Sequence, residues 1–406
     1  MVDAVHTYDF WSKEARANPQ PIYARIRQED PVHRTTGPHT GNPTWILTRY
    51  EDCVSFLKDA RFGKEFHKNL PKEVAARWWP EPSPDDPWAI INRHLLEIDP
   101  PDHTRLRALV HKAFTPRMVE SLRPRIHAIA DTLLDEMGDH GEADLISAFA
   151  FPLPITVIAE MLGIPPADRE QFRRWTKVLL FSPDGDENRA ALMEFGMYMN
   201  QMIDERQANP QEDIISALAH AEEDGDTLNR MELLSMLFLL LVAGHETTVN
   251  LIGNGTLALL QHPDQLQKLR SDPALIKPAV EEMLRYNGPV DITTNRWAFE
   301  DVEIGGKVIG QGDMVYASLL AANRDPEQFP DPDRFDITRD PNRHIAFGNG
   351  IHYCVGAPLA RMEGAIALNA LVQRLPQLEL AVPAESLEWT TNMMIIHGMN
   401  AMPVRY

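Results

Sequence analysis

One stretch near the C-terminus constrains the chemistry of this chain more than any other: Phe347-Gly-Asn-Gly-Ile-His-Tyr-Cys-Val-Gly-Ala357. Three glycines surround Cys354, so the backbone can fold there into a tight loop that aims N–H groups at the sulfur. Pro358 suits the first turn of a following helix. A cysteine just before a helix N-terminus has a stabilised thiolate. With no second cysteine nearby, that thiolate suits an open metal coordination position.

Three common kinds of site do not fit this stretch. A zinc site needs four ligands, and only His352 lies close to the cysteine in sequence. The dinucleotide pattern G-x-G-x-x-G fails because Tyr353 stands where the third glycine belongs. His245-Glu246 lacks the second histidine that a zinc protease needs at position 249. The other cysteine, Cys53, we interpret as a small buried hydrophobic residue.

The spacing of Phe347, Gly350, His352, Cys354 and Gly356 resembles the haem-binding signature of the cytochrome P-450 family. The resemblance implies a haem b cofactor whose iron is bound by the Cys354 thiolate, a ligand that favours O–O cleavage. It also implies the fold, which is mainly α with a smaller β region and a long central helix over the haem.

Further segments follow in the order that the family has them. Ala243-Gly-His-Glu-Thr247 is similar to the oxygen-binding turn of the family's central helix, and Leu96–Arg107 is similar to the segment that reaches a haem propionate. Glu282-Met-Leu-Arg285 and Phe329-Pro-Asp-Pro-Asp-Arg-Phe335 resemble two more segments of the family. They imply a structural ion network of Glu282, Arg285 and Arg334.

The resemblance also assigns roles around the cofactor. Haem carries two propionates, which need cationic partners when they are partly buried. Besides Cys354, the expected haem contacts are His103, Arg107, Ala243, Gly244, Arg296, Phe347, Gly348, His352 and Gly356. The expected catalytic residues are Thr247 and Glu246, because oxygen activation needs protons and an acid next to an alcohol can deliver them.

The central helix is also predicted by the sequence pattern alone. Asn229-Arg-Met-Glu232 is a capping-box pattern, and the helical pattern continues to about Gln261, before His262-Pro263. The helix is apolar nearly all round, so we expect it to be buried. In its middle, Gly244 costs about 1 kcal/mol relative to alanine, and a buried charge at Glu246 costs more. A glycine and a charged residue together in the middle of a buried helix indicate a functional site.

The rest of the chain reads as helical from about 103 to 285, with strand patterns nearer both ends. Helices are predicted at 116–137, 167–180, 187–207 and 212–223, and strands at 31–36, 44–48, 302–309, 314–318, 378–382 and the last residues. The proline-rich segment 78–88 is typical of an irregular loop. We expect a single domain over 1–406, β-rich at about 1–60, 288–320 and 376–406 and helical at about 61–285 and 321–375.

Composition limits the partners and the compartment. The chain has 406 residues with 39 basic and 59 acidic side chains, a net charge of −20, which argues against binding to nucleic acid or an anionic membrane. Its 2 cysteines make no disulfide framework. Neither a signal peptide nor an apolar run of about 20 residues is present, so we expect a cytoplasmic protein.

The resemblance also places the substrate contacts, and most of them are apolar. They lie at 78–95, 173–200, 239–243, Val290, Ile292, Thr293, Met394 and Ile395. We therefore expect a hydrophobic small organic substrate, with hydrogen bonds from Asp291, Thr293 and Thr294.

No flavin or iron–sulfur domain fits beside this fold, so the electrons come from a ferredoxin or flavodoxin with its reductase. A basic patch of Arg105, Lys112, Arg117 and Arg361 is the candidate docking site for that partner. We expect the protein to be a monomer.

Three functions fit these features. The first is a monooxygenase that hydroxylates or epoxidises its substrate with dioxygen. The second is a peroxygenase driven by peroxide, which needs the acid–alcohol pair less because peroxide brings its own protons. The third is a non-catalytic haem protein that senses a gas or ligand, and such a protein has no need of that pair.

Overall fold

The structure is a computed structural model that describes residues 8–10, 12–36, 41–79, 83, 88, 91–182, 184–391 and 394–406. Helices dominate, and the strands come mainly from the first and last thirds of the chain, so the predicted class of mainly α with a smaller β region is confirmed. The helices up to residue 219 are α1 (Lys13–Ala17), α2 (Gln20–Glu29), α3 (Tyr50–Lys58), α4 (Phe66–Asn69), α5 (Lys72–Ala75), α6 (Asp102–Ala113), α7 (Pro116–Ser121), α8 (Arg123–Met137), α9 (Pro152–Met161), α10 (Arg169–Phe181), α11 (Gly185–Ala208) and α12 (Ile214–Ala219). The later helices are α13 (Arg230–Gly244), α14 (Glu246–Gln261), α15 (Pro263–Ser271), α16 (Ile276–Asn287), α17 (Leu319–Ala322) and α18 (Ala357–Arg374).

The strands form one larger sheet and three small ones within the described residues. They are β1 (Val32–Thr36), β2 (Pro43–Leu47), β3 (Phe62–Gly63), β4 (Glu142–Asp144), β5 (Glu222–Glu223), β6 (Asp226–Thr227), β7 (Arg296–Ala298), β8 (Val302–Ile304), β9 (Lys307–Ile309), β10 (Met314–Ala317), β11 (Glu379–Leu380) and β12 (Pro403–Arg405). The larger sheet has the order β1-β2-β10-β7-β3, and its β2–β10 pair is parallel. The others are β11-β12-β4 and the hairpins β5-β6 and β8-β9. Gly305 and Gly306 turn the β8-β9 hairpin at positive φ.

The central helix passes through the largest hydrophobic cluster. Leu237 and Leu241 of α13 and Ile252 of α14 are fully buried there, together with residues of α8, α9 and α18. By length and composition the span 230–261 is long and apolar enough to cross a membrane, but 67% of its most apolar window is buried inside the protein. It is therefore a core helix.

The predicted capping box at the start of this helix is confirmed, but the helix is not continuous. Asn229 accepts hydrogen bonds from the first turn, and the Glu232 carboxylate accepts the Asn229 N–H at 2.9 Å. His245 has φ −119° and separates α13 from α14. The interruption falls directly after Gly244, where the sequence breaks the rules for a helix interior.

Two other predicted helices need correction. The segment 116–137 is divided at Leu122, because Pro124 cannot donate a backbone hydrogen bond inside a helix and instead lies in the first turn of α8. The segment 212–223 is helical only in α12, since Asp224 and Gly225 both have positive φ and turn the chain into the β5-β6 hairpin. Much of the expected 78–88 loop, at 80–82 and 84–87, lies outside the described residues.

Candidate active site

The backbone of the loop that carries Cys354 is tightly folded. The Cys354 N–H donates to the Phe347 carbonyl at 3.0 Å. Gly348 and Gly350 both have φ +73°, which favours glycine. A Cβ at Gly350 would also lie 2.4 Å from the Leu57 carbonyl oxygen. The prediction that glycines shape a tight loop here is confirmed, and the loop leads directly into α18.

The sulfur of Cys354 lies at the N-terminus of α18. The residue is accessible on one side, but desolvation by the protein around it raises the pKa of the thiol. Hydrogen bonds from the backbone N–H groups of Gly356 and Ala357 and the charges of Arg107 and Arg361 act against that rise. An accessible thiol that receives these hydrogen bonds fits a metal ligand. Coordination removes its proton, and the same N–H groups then stabilise the thiolate.

Arg361 of α18 connects the Cys354 loop to α16. Its guanidinium lies 4.4 Å from the centroid of the Phe347 ring and 2.7 Å from the Glu281 carboxylate. It also donates to the Tyr353 hydroxyl at 3.2 Å. With these contacts Arg361 holds the loop in place, and its charge is neutralised by Glu281.

Basic side chains from separate parts of the chain converge behind this loop. The rings of His103 and His352 lie 4.5 Å apart between centroids. Arg107 donates to two carbonyls of the loop at 2.8 and 2.7 Å. Arg296 of β7 is buried and donates to a backbone carbonyl at 3.1 Å. A fifth base, Lys64, is also buried beside them.

This basic cluster has the character of an anion site. Burial, together with the charges of Lys64, Arg296 and His103, lowers the pKa of His352 to about 2. Neither ring nitrogen of His103 has a hydrogen-bond partner among the described residues. None of the five bases forms an ion pair with a carboxylate of a described residue. Three of the five bases, Lys64, His103 and Arg296, are buried. Bases that form no ion pair with a described carboxylate fit the two carboxylates that haem brings.

The turn between α13 and α14 brings an alcohol and an acid together. Thr247 donates its hydroxyl hydrogen to the Ala243 carbonyl at 3.2 Å, across the break in the helix. Glu246 is 9% exposed and accepts a hydrogen bond from Asn250 at 3.1 Å. Burial raises the pKa of the Glu246 carboxyl, and the Asn250 hydrogen bond acts against that rise. The Glu246 carboxyl can hold a proton, and its transfer to the adjacent Thr247 hydroxyl stays a prediction.

A cavity of about 460 Å³ borders this turn at Ala243. Its wall is mostly apolar and aromatic, and it takes residues from two predicted substrate segments, 78–95 and 239–243. The lining residues are Phe66, Trp79, Asn92, His94, Leu96, Glu97, Phe238, Leu239, Val242, Ala243, Asn295 and Trp297. A hydrophobic molecule of moderate size fits such a wall.

The five further residues expected at the substrate do not line this cavity; these are Val290, Ile292, Thr293, Met394 and Ile395. Ile292 is 3% exposed and, with Met394 and Ile395, packs in a cluster that includes Phe66 and Trp297 of the wall. Contact of these five with a substrate stays a prediction. Met393, which directly precedes Met394, lies outside the described residues.

Of the expected polar contacts to a substrate, Asp291 needs correction, while contact through Thr293 and Thr294 stays a prediction. Asp291 is 2% exposed and is occupied by Arg16, at 2.6 Å, and by the Tyr23 hydroxyl, at 2.6 Å. The hydroxyls of Thr293 and Thr294 accept hydrogen bonds from a backbone N–H and a lysine. Polar groups on the cavity wall come instead from Asn92, His94, Glu97 and Asn295.

The expected ion network exists, but with a different second arginine. Glu282 and Arg285 are both fully buried and 2.7 Å apart. Arg334 points its side chain, 62% exposed, toward Asp336 and offers only its backbone carbonyl to Arg285. Arg339 takes the expected place, 3.2 Å from the Glu282 carboxylate. The expectation of Arg334 was wrong because its side chain points to solvent, whereas the side chain of Arg339, five residues later, contacts the buried Glu282.

The expected basic patch is also mostly neutralised. Arg105 pairs with Glu232 and Asp226, and Lys112 pairs with Glu223 at 2.5 Å. Of the four proposed cations, Arg117 is the one for which the described residues provide no ion pair.

Comparison with known proteins decides the family. Residues 169–394 match the family model described as Cytochrome P450. The chain belongs to the cytochrome P450 family. It is 47% identical to the polyketide biosynthesis cytochrome P450 PksS of Bacillus subtilis, over 97% of this chain and 96% of that protein. It is 48% identical to the cytochrome P450 monooxygenase PikC of Streptomyces venezuelae, over 96% and 91%.

Solved P450 structures share the whole fold. The structure of PksS superposes with a TM-score of 0.91 at 46% identity, covering 98% of this chain and 99% of that one. The structure of the myxobacterial cytochrome P450 CYP267B1 in complex with myristic acid superposes with a TM-score of 0.89 at 49% identity, covering 98% of each chain.

The predicted activity is confirmed by this membership. The P450 is an oxidoreductase that binds haem b through a cysteine thiolate. It activates dioxygen with electrons from separate redox partners and hydroxylates or epoxidises a hydrophobic small organic substrate. Of the three functions considered from the sequence, the monooxygenase is the one that these relatives support.

Proposed function

We propose that the Cys354 thiolate is the iron ligand of this P450 and that His103, Arg107, Arg296 and His352 hold the haem propionates. The observation that carries this proposal is the cluster of bases beside the Cys354 loop that form no ion pair with a described carboxylate, three of them buried. Bound there, the haem supplies the activation of dioxygen. The other proposed haem contacts are Phe347, Gly348 and Gly356, which shape the loop, and Ala243 and Gly244 at the break in the central helix.

The chain's own part in the reaction is to deliver protons and to exclude water. The carboxyl of Glu246, with its raised pKa, holds a proton close to the cavity. Thr247 has a hydroxyl that can turn from the Ala243 carbonyl toward a water in the cavity. Protons then pass from Glu246 to this hydroxyl and its water, while the aromatic wall keeps bulk water out.

Replacing Thr247 by alanine removes the alcohol and leaves the haem contacts in place. We expect bound haem to be unchanged while product formed per electron consumed falls about tenfold, because a proton donor is lost. The lost electrons are expected to leave as peroxide. The measurement is product, peroxide and cofactor consumption in one assay, with Thr247→Ser as the control that keeps the hydroxyl. An unchanged product yield in Thr247→Ala contradicts the assigned role.

For the substrate we propose a polyketide-like or fatty-acid-like molecule with a few polar groups. PksS is named for polyketide biosynthesis, and CYP267B1 was solved with myristic acid. The apolar cavity wall with Asn92, Glu97 and Asn295 matches such a molecule. Titration of macrolactones, fatty acids and small polar aromatics, followed by the spin-state shift of the Soret band, tests this. Binding of the polar aromatics alone contradicts it.

For the redox partner we propose a ferredoxin, with a flavodoxin as the alternative, each supplied by its reductase. An acidic partner needs a free cation on this acidic chain, and Arg117 is exposed at the start of α7. We expect Arg117→Glu to slow the reduction rate several-fold and to weaken its salt dependence. Lys112→Glu is the matched control with a smaller effect, because Glu223 already neutralises Lys112. Equal rates in wild type and Arg117→Glu, measured by stopped-flow reduction, contradict this docking site.

We also propose that residues 1–406 form one P450 domain that acts as a cytoplasmic monomer. The relatives align with nearly the whole chain, and the central helix is buried rather than free to anchor it. Sedimentation of the purified holoenzyme tests the oligomeric state, and a stable dimer contradicts it.

A further inference from the structure

A lysine outside every motif of the sequence lies beside the basic cluster. Lys64 follows β3 directly and is 3% exposed. Its backbone N–H donates to both Asp99 carboxylate oxygens, at 3.0 and 2.8 Å, which fixes the start of the side chain. The Lys64 ammonium then reaches the Thr294 hydroxyl, 2.6 Å away.

The ammonium has more donors than the described residues satisfy. Lys64 carries three N–H groups, and among those residues Thr294 is the single side-chain acceptor within hydrogen-bond distance. None of the described carboxylates pairs with it, and Asp99 is occupied by backbone N–H groups. The pKa of Lys64 is lowered to about 8, mainly by burial and also by the charge of Arg296, while the charges of Glu97 and Asp99 act against this. A buried ammonium in this state is costly unless an anion reaches it.

The position of Lys64 indicates where such an anion could bind. Thr294 stands two residues before Arg296, and the positive charge of Lys64 lowers the pKa of His352. Lys64 does not line the substrate cavity, although Phe66 and Asn295, close to it and to Thr294 in sequence, do. An anion bound by the basic cluster can therefore reach Lys64.

We propose that Lys64, positioned by Asp99 and Thr294, binds one haem propionate together with Arg296. The proposal rests on the proposed propionate contacts of the basic cluster. This contact would also connect the cofactor to the cavity wall, because the wall residues Phe66 and Asn295 are close in sequence to Lys64 and Thr294.

The test is the rate at which the holoenzyme loses haem to an excess of apomyoglobin. We expect Lys64→Met to lose haem about tenfold faster than wild type, through loss of a buried charge partner. Arg296→Met is the positive control. Lys68→Met is the matched negative control, because Lys68 is 54% exposed and lies on the neighbouring α4.

A haem without carboxylates separates a propionate contact from a packing effect. With iron protoporphyrin dimethyl ester as the bound haem, we expect wild type and Lys64→Met to lose it at the same rate. Faster loss from Lys64→Met with the ester as well overturns the proposal, because the lysine then acts through packing. Unchanged loss in Lys64→Met with faster loss in Arg296→Met overturns the Lys64 contact alone. Unchanged loss in both overturns the whole set of propionate contacts.

Discussion

Replacing Cys354 by alanine is expected to abolish monooxygenase activity and the strongly red-shifted Soret band of the reduced, carbon monoxide-bound P450. We expect activity to fall at least about a thousandfold, which corresponds to an activation free energy higher by about 4 kcal/mol. The loop around Cys354 offers no substitute ligand, since the ring of His352 packs against His103 in the basic cluster. The N–H groups of Gly356 and Ala357 would then face a methyl group.

The absorption spectrum separates this prediction from loss of folding. Cys53→Ala is the matched control, because Cys53 is fully buried in α3 and its thiol faces the Leu47 carbonyl, at 3.4 Å, and the Ser318 carbonyl. That variant is expected to keep the red-shifted band. A Cys354→Ala protein that keeps the same band contradicts the assignment of the thiolate, whereas a folded protein that has lost the band supports it.

Much of the site was predictable because its residues are close together in sequence. The loop before α18 depends on glycines at fixed spacing, and both Gly348 and Gly350 adopt the positive φ that such a loop needs. The central helix breaks directly after Gly244, and Glu246 and Thr247 follow within three positions. Because each set belongs to one short stretch, local backbone rules were enough to connect its members.

What the sequence did not predict depends on contacts between distant segments. Lys64 and Thr294 are 230 positions apart, and no local pattern connects them. Asp291 looked like a free polar group, yet Arg16, 275 positions away, is paired with it. The basic patch was overestimated for the same reason, since the acids that neutralise Arg105 and Lys112 lie on the distant β5-β6 hairpin and α13.

The second large effect is expected from Glu282. Its carboxylate accepts hydrogen bonds from Arg285 at 2.7 and 2.8 Å, from Arg339 at 3.2 Å, from Asn342 at 3.1 Å and from the Asp336 N–H at 2.9 Å. This set joins α16 to the segment that leads into the Cys354 loop. Glu282→Gln leaves two buried guanidiniums without their charge partner, so we expect a loss of about 3–5 kcal/mol in the free energy of unfolding, measured in urea, and poor retention of haem.

Two arginine variants are the controls for this prediction, and they decide between the sequence expectation and the structure. Arg339→Met removes a buried partner of Glu282, and we expect about 3 kcal/mol of destabilisation with a lower haem content. Arg334→Met is expected to change the free energy of unfolding by less than about 0.5 kcal/mol, because that side chain is 62% exposed. A larger loss of unfolding free energy in Arg334→Met than in Arg339→Met contradicts the structure and supports Arg334 as the partner of Glu282. The geometry favours Arg339 because its guanidinium also donates to the Pro330, Asp331 and Arg334 carbonyls, so one side chain neutralises Glu282 and holds the turn that positions the Cys354 loop.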